Sequence, residues 1–287
     1  MYLVDLANQS ARQVVDWDTP DIEWHGHGGD RGLRGIACSD DVIYVAASDR
    51  LLALSSTFRL IDSWQNPYLK YCQEIAAWEK TLYLVSAGYD TVLGFDLEQQ
   101  AFSWALNVQS RRHEFGGTTF DPAGNEGPLL LEKLQLNSVF CNEYGMYVSG
   151  QKTGGMLHFN GEAINMAVQL PTQTHNVRPF RDGIIFNDNE ADALRYTGRE
   201  NDREDRAMLP RSPDPGSLEQ VEAIDDGVAR AGFARGLCVM SDRLVAGGSS
   251  PATISVYDLA ANESIGSVRL SNDARSTIHS IAVWPFD

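Results

Sequence analysis

Two arginines, two histidines and two amides recur at one place in six short segments of the chain. The segments are Arg34-Gly35-Ile36-Ala37, Gln73-Glu74-Ile75-Ala76, Asn137-Ser138-Val139-Phe140, His175-Asn176-Val177, Arg235-Gly236-Leu237-Cys238 and His279-Ser280-Ile281-Ala282. Each opens on a polar residue, continues with a small or polar one and then turns apolar. Brought together, the six leading side chains would form a ring with two permanent cations. Arg34 and Arg235 carry forks that grip carboxylate, sulfate or phosphate oxygens through two donors at once. Gln73 and Asn137 would orient the bound group, and His175 and His279 could move protons near neutral pH, which makes them the catalytic candidates. A competing reading has these residues hold channel water and pair with neighbours such as Glu74. The ligand reading is preferred, because two arginines beside one obvious carboxylate leave positive charge to be neutralised.

The other histidines raise a metal question. His25 and His27 lie in Trp24-His25-Gly26-His27-Gly28-Gly29, and His113 lies in Arg111-Arg112-His113-Glu114-Phe115-Gly116-Gly117. With His175 and His279 they could supply imidazoles to zinc, iron or copper. An H-x-H pair in a glycine-rich loop is a weak signal, however, and the nearby Arg34 and Arg235 disfavour a cation. A divalent metal is therefore an open alternative and no cofactor is favoured. His25 and His113 are read instead as lid residues that contact the ligand, and His158, inside Met156-Leu157-His158-Phe159, as structural. The acidic run Asn187-Asp188-Asn189-Glu190-Ala191-Asp192 lacks the remaining residues of a calcium loop and reads as a turn between strands. Arg199 to Arg206 alternates in sign and reads as a solvated outer hairpin. Neither a GxSxG elbow, a P-loop nor a dinucleotide fingerprint is present. Ser138 and Ser280 adjoin ring positions, but neighbouring strand residues point to opposite sides and form no dyad.

These residues need a scaffold that repeats. Strand signals recur along the chain, and long stretches with helical period are missing. In the second repeat, Gln73–Trp78, Thr81–Ser86, Thr91–Leu97 and Ala101–Val108 read as four strands separated by turn signals, and similar quartets start near Arg34, Asn137, His175 and Arg235. Four antiparallel strands per repeat is the pattern of a propeller blade. The sixth repeat is split: Thr277–Trp284 supplies an inner strand, while Tyr2–Leu6 and Gln13–Trp17 supply a middle and an outer one. The expected fold is thus all-β, one six-bladed β-propeller spanning residues 1–287, closed by strands from both termini. Closure would also hide strand edges that invite aggregation. Two spacings between segments are long, 64 positions from Gln73 to Asn137 and 60 from His175 to Arg235. The excess falls at Ser110–Lys133 and Pro210–Gly232, with Asp18–Gly32 a third such connection. Long loops on a rigid scaffold usually build or cover a site, and these three would emerge on the face where the inner strands begin.

The 287 residues carry a formal net charge of -16. That balance argues against non-specific binding to nucleic acid or anionic membranes, both of which attract basic surfaces. The N-terminus lacks the pattern of a secretory signal, and no run approaches the ~20 apolar residues of a membrane span. Cys38, Cys72, Cys141 and Cys238 are widely spaced without a CxxC pair, which fits a reducing, cytoplasmic setting.

Three stretches resemble six-bladed propellers of the NHL and strictosidine-synthase-like group, and more closely a bacterial propeller family of unknown function. They are Leu136-Asn137-Ser138-Val139, Thr174-His175-Asn176-Val177-Arg178 with Gly183-Ile184-Ile185-Phe186, and Gly232-Phe233-Ala234-Arg235-Gly236-Leu237. The resemblance spans roughly residues 70 to 285 and adds Arg178, in its His-then-Arg motif, to the ligand-binding candidates. Ser138 stands where that family usually has glycine, and the HEFGG segment replaces a Cys-His approach. The catalytic constellation of strictosidine synthases or gluconolactonases cannot be laid on this chain. The resemblance implies a fold and a site location without a reaction.

The functional expectation is a small-molecule enzyme of hydrolase or lyase type, acting on an anionic or polar substrate at the axial pocket. A non-catalytic propeller that binds a protein, peptide or glycan is one alternative. A metal-dependent enzyme built on the loop histidines is the other. Propellers host all three, so fold alone does not choose.

Overall fold

The computed structural model describes residues 1–17, 32–112, 114–199, 205–208, 232–273 and 276–286. The chain divides into two compact units. The first comprises residues 1–31 and 179–283, the second residues 32–178 and 284–287.

The first unit opens with β1 (Tyr2–Asp5) and β2 (Ser10–Gln13), a two-stranded sheet of their own. In the second unit, β3 (Ile36–Ser39), β4 (Val42–Ala47), β5 (Arg50–Ser55) and β6 (Leu60–Gln65) form a four-stranded antiparallel sheet in chain order. The next sheet has five strands: β7 (Cys72–Trp78), β8 (Thr81–Ser86), β9 (Thr91–Asp96), β10 (Ala101–Arg111) and β11 (Glu114–Phe120). A third is built from β12 (Leu136–Asn142), β13 (Gly145–Gly150), β14 (Gly155–Phe159) and β15 (Ile164–Gln169). Strand β16 (Thr174–Phe180) carries the chain across the boundary between units and heads the sheet of β17 (Gly183–Asp188), β18 (Ala193–Gly198) and β19 (Asp205–Met208). The last sheet, in the first unit, is β20 (Ala234–Val239), β21 (Leu244–Ser249), β22 (Thr253–Asp258) and β23 (Glu263–Arg269).

Neighbouring sheets bury their faces against one another. Ala37, Tyr44, Leu51 and Ala53 meet Leu82, Leu84, Leu93 and Phe95, and Val85, Val92 and Leu106 meet Val139, Val148 and Leu157. In the first unit Ile185, Leu194 and Tyr196 pack on Leu237, Val245 and Tyr257. A sheet covered on both sides needs apolar residues at successive positions, which is why the second and third strands read as near-continuous hydrophobic runs. Leu82 and Leu84 are fully buried, and truncating either to Ala should cost about 2–5 kcal/mol. The described residues hold no helix long and apolar enough to cross a membrane.

Two expectations meet corrections. The stretch Ser110–Lys133, expected as one long connection, contains β11, a fifth strand paired with β10 from Ala105↔Phe120 to Arg111↔Glu114. Alternating apolar residues are absent from EFGGTTF, so its pairing had no period to reveal it. Five sheets of blade size are present where six blades were expected. Residues 276–286 carry no strand where Thr277–Trp284 was expected to be one. Their Ile278 and Ile281 are nonetheless packed, with Val4 and Leu6, on Cys238, Ala246 and Ile254 of the last sheet. Apolar content placed this segment against the sheet without supplying ladder hydrogen bonds.

Candidate functional site

The leading residues of four of the repeated segments, Arg34, Gln73, Asn137 and Arg235, sit at irregularities at or just before the inner strands. Pairing slips between Cys72 and Ile75, between Leu136 and Ser138, and between Ala234 and Leu237. In β3 the same step is marked by two bonds to one residue: Arg34 N–H donates to Ala46 O, and Ala46 N–H donates to Gly35 O. Each bulge sets two residues of the inner strand against one of its partner, which re-aims the side chains and suspends strict alternation. The alternation argument used against neighbouring residues such as Asn137 and Ser138 therefore does not apply there.

The second residue of each segment performs a task that sequence reading missed. In the second unit it reaches the backbone of the third residue of the next segment. Ser138 Oγ accepts from Val177 N–H at 2.8 Å, and Glu74 Oε2 accepts from Val139 N–H at 3.1 Å. At Gly35 the approach is closer still, since a Cβ there would lie 2.6 Å from Ile75 N. Glycine is required at that contact. In the first unit Gly236 adopts φ +84° and packs against Ile278 and Ile281. Asn176 also lies at positive φ, a conformation that Asn and Gly adopt most readily. The signal was present in the small-or-polar second position shared by all six segments.

Glu74 is the hub of the second unit's polar cluster. Its Oε1 accepts from Asn176 Nδ2 and from Arg178 Nη2, each at 3.0 Å, so its two oxygens receive three bonds with the one from Val139. Arg178, a ligand-binding candidate by resemblance, is thus in an ion pair within the protein, and its buried Nε has no hydrogen-bond partner. Asn137 donates through Nδ2 to Thr174 O at 2.9 Å, while its buried Oδ1 accepts nothing. His175 is 2% exposed and its Nε2 lies 3.3 Å from Gln151 Nε2. The amide nitrogen donates, so His175 accepts at Nε2 and carries its proton on Nδ1. Arg34 is buried near Cys72, where burial pushes the thiol up to about 12 against the pull of the Arg34 guanidinium. Gln73 keeps a half-buried side chain.

The first unit presents a different arrangement. Arg235 Nη1 lies 3.0 Å from His279 Nδ1, and the guanidinium stacks over Phe233 at 5.5 Å. A guanidinium only donates, so His279 accepts at Nδ1 and carries its proton on Nε2. Burial lowers Arg235 to about 10, which leaves it charged at neutral pH. Among the described residues it has no carboxylate partner. Asn187 Nδ2 donates to Gly236 O at 3.2 Å and braces the bulge that holds the arginine.

Of the remaining candidates, His25, His27 and His113 lie outside the described residues. Among the described residues no three His, Cys, Asp or Glu side chains converge as metal ligands would. His158 Nε2–H donates to Tyr144 O, 2.8 Å away, and the ring stacks on Tyr147, as a structural histidine does. The run 187–192 forms the expected turn, with Asp188 Oδ1 accepting from Glu190 and Ala191 N–H and Oδ2 from Arg195. The four cysteines are free thiols.

No protein-family model matches the chain, and no curated protein matches it in sequence. Solved structures do. A structure from a nidogen/laminin complex is similar over 86% of this chain and 82% of its own, at 9% identity and a TM-score of 0.55. The WD40 repeats of RRP9 match over 83% of this chain and 63% of theirs, at 9% identity and 0.52. A catalytically inactive histidine variant of Staphylococcus aureus virginiamycin B lyase, with quinupristin, matches over 81% and 69%, at 10% identity and 0.50. At such identities the likeness carries the fold alone. With the repeated antiparallel sheets described above, it makes this chain an all-β propeller.

Proposed function

We propose that this propeller binds a small anionic molecule through Arg235 and acts on it as a hydrolase or lyase. The observation that carries the reading is a half-buried guanidinium with no carboxylate partner among the described residues. A cation withdrawn from water without a counter-charge is costly, and an anionic ligand supplies the missing charge. His279 fixes one arm of the fork through Nδ1 and carries its proton on Nε2, a hydrogen-bond donor beside the guanidinium. The similar solved structures include a lyase and a WD40 protein, so the site and not the fold supports an enzymatic reading.

The reading takes the chain as one domain whose sixth blade draws on both termini. A shared turn supports this. Asp96 Oδ1 accepts from Glu98 and Gln99 N–H, Asp258 Oδ1 from Ala260 and Ala261 N–H, and Asp5 Oδ1 from Asn8 N–H. Each turn ends on a positive-φ residue, Gln100, Asn262 or Gln9. The turn between β1 and β2 thus matches those joining third and fourth strands, and the one between β17 and β18, so β1 and β2 have the turn of neighbouring strands within a blade.

Thermal unfolding with sulfate, phosphate and small mono- and dicarboxylates tests the site. At least one anion should raise the melting temperature of the native chain and leave Arg235→Met unmoved; a thousandfold excess over Kd is worth about 4 kcal/mol. Equal stabilisation of both proteins would reject Arg235 as the anchor.

A further inference from the structure

The fifth strand of the second sheet is an outer edge without the bulge that marks β6, β15 and β23, and its unslipped pairing is longer than the four positions of β19. The fourth strands of four sheets are bulged against their third: β6 at Ala53/Leu54, β10 at Phe102/Trp104, β15 at Met156/Leu157 and β23 at Val256/Tyr257. Such bulges twist an edge away from foreign strands. Strand β11 has no such protection. It pairs with β10 over seven consecutive positions without a slip, carries no charge between Glu114 and Phe120, and has no strand on its far side among the described residues. Its backbone polarity is also ordered. Because Arg111 lies opposite Glu114, residues 114, 116, 118 and 120 direct their N–H and C=O groups to β10, and Phe115, Gly117 and Thr119 direct theirs outward.

We propose that this edge pairs with the β11 edge of a second copy of the chain, antiparallel about a two-fold axis at Gly117. In that register Gly117 faces Gly117 of the second copy and Phe115 faces its Thr119, so outward groups meet outward groups and six backbone hydrogen bonds form. The charges agree with this register and with a second copy as occupant. Arg111 and Arg112 are exposed at the start of the strand without an ion-pair partner among the described residues, and exposed Asp121 follows its end. The two-fold lays Arg112 of one copy beside Asp121 of the other, the self-complementarity that an isologous contact requires. Leu106 and Ile164 lie against one face of Gly117. Two paired strands form a small interface, so the dimer is of the weak, reversible class.

Sedimentation of the full chain from about 1 to 200 µM should show a concentration-dependent dimer with a micromolar dissociation constant. Gly116→Lys puts a charge where a Cβ meets no atom within 4 Å, and Thr119→Pro removes an outward N–H that β10 does not use. Each should raise the dissociation constant about tenfold or more without lowering the melting temperature of the monomer by more than a few degrees. Arg112→Glu should weaken the dimer and the added change Asp121→Arg should restore it. A chain that stays monomeric over the whole range would overturn the proposal, as would a dimer indifferent to the edge variants or to the charge exchange.

Discussion

Arg178 and Arg235 are both half-buried guanidiniums on inner strands, and they are compensated in opposite ways. Arg178 faces Glu74, whose oxygens also receive Asn176 and Val139. Among the described residues Arg235 faces a histidine nitrogen that accepts from it and an aromatic ring, with no carboxylate. The first is a closed network that ties three strands together. The second holds a cation without a counter-charge among the described residues, which is the basis of the anion-binding proposal. A buried ion pair is costly to break from one side, whereas a lone buried cation is destabilising while it stands. The difference separates a paired arginine from an unpaired one within one repeat pattern.

The sharpest way to break this contrast is to remove the acid. Glu74→Ala strands Arg178 and Asn176 and should cost about 3–5 kcal/mol in denaturant unfolding. A loss below about 1 kcal/mol would show that Glu74 is not a hub. Next in size is Gly35→Ala, which forces a methyl against the Ile75 amide and should cost about 1–3 kcal/mol by the same measurement. Ser138→Ala leaves the Val177 amide unpaired, a loss of about 1–2 kcal/mol. Arg235→Met should stay within about 1 kcal/mol of the native protein or stabilise it, since no paired charge is orphaned. A destabilisation as large as that of Glu74→Ala would erase the distinction.

The smallest effect is one of pH. Asp90 is a buried carboxylate whose Oδ2 accepts from Lys133 and Leu134 N–H while Oδ1 accepts nothing. Burial raises its pKa against the pull of those amides. With the folded pKa above the unfolded one, the folded state binds the proton more tightly. The contribution is favourable at pH values below the ordinary carboxyl range and is lost as pH rises through the raised value. Asp90→Asn should therefore gain stability relative to the native chain as pH climbs from about 4 toward neutrality. A stability difference that does not change with pH would mean Asp90 titrates normally.

Much of the scaffold was legible in the sequence. Thr81–Ser86 was placed to the residue, and the strands around it were within three residues of their ends, because turn residues and apolar runs mark a sheet buried on both faces. The repeat also located the positions that the bulges re-aim. What it could not show was which polar residue finds a partner. Glu74 and Asn176 lie 102 positions apart and Glu74 and Arg178 lie 104 apart, so local patterning carries no trace of their bonds. Strand β11 escaped because a glycine pair and two threonines have neither helical nor alternating period, and its pairing follows from the length of β10.

The bond from Glu74 to Val139 spans 65 positions, and the one from Ser138 to Val177 spans 39, yet both join the second residue of one segment to the third of the next. The joint is indifferent to the length of chain between its ends. Segments can therefore be inserted between blades, or removed, without shifting the register of the inner strands. The region 121–135 is accordingly a natural place to graft a foreign peptide, provided that Asp90 keeps its two amides.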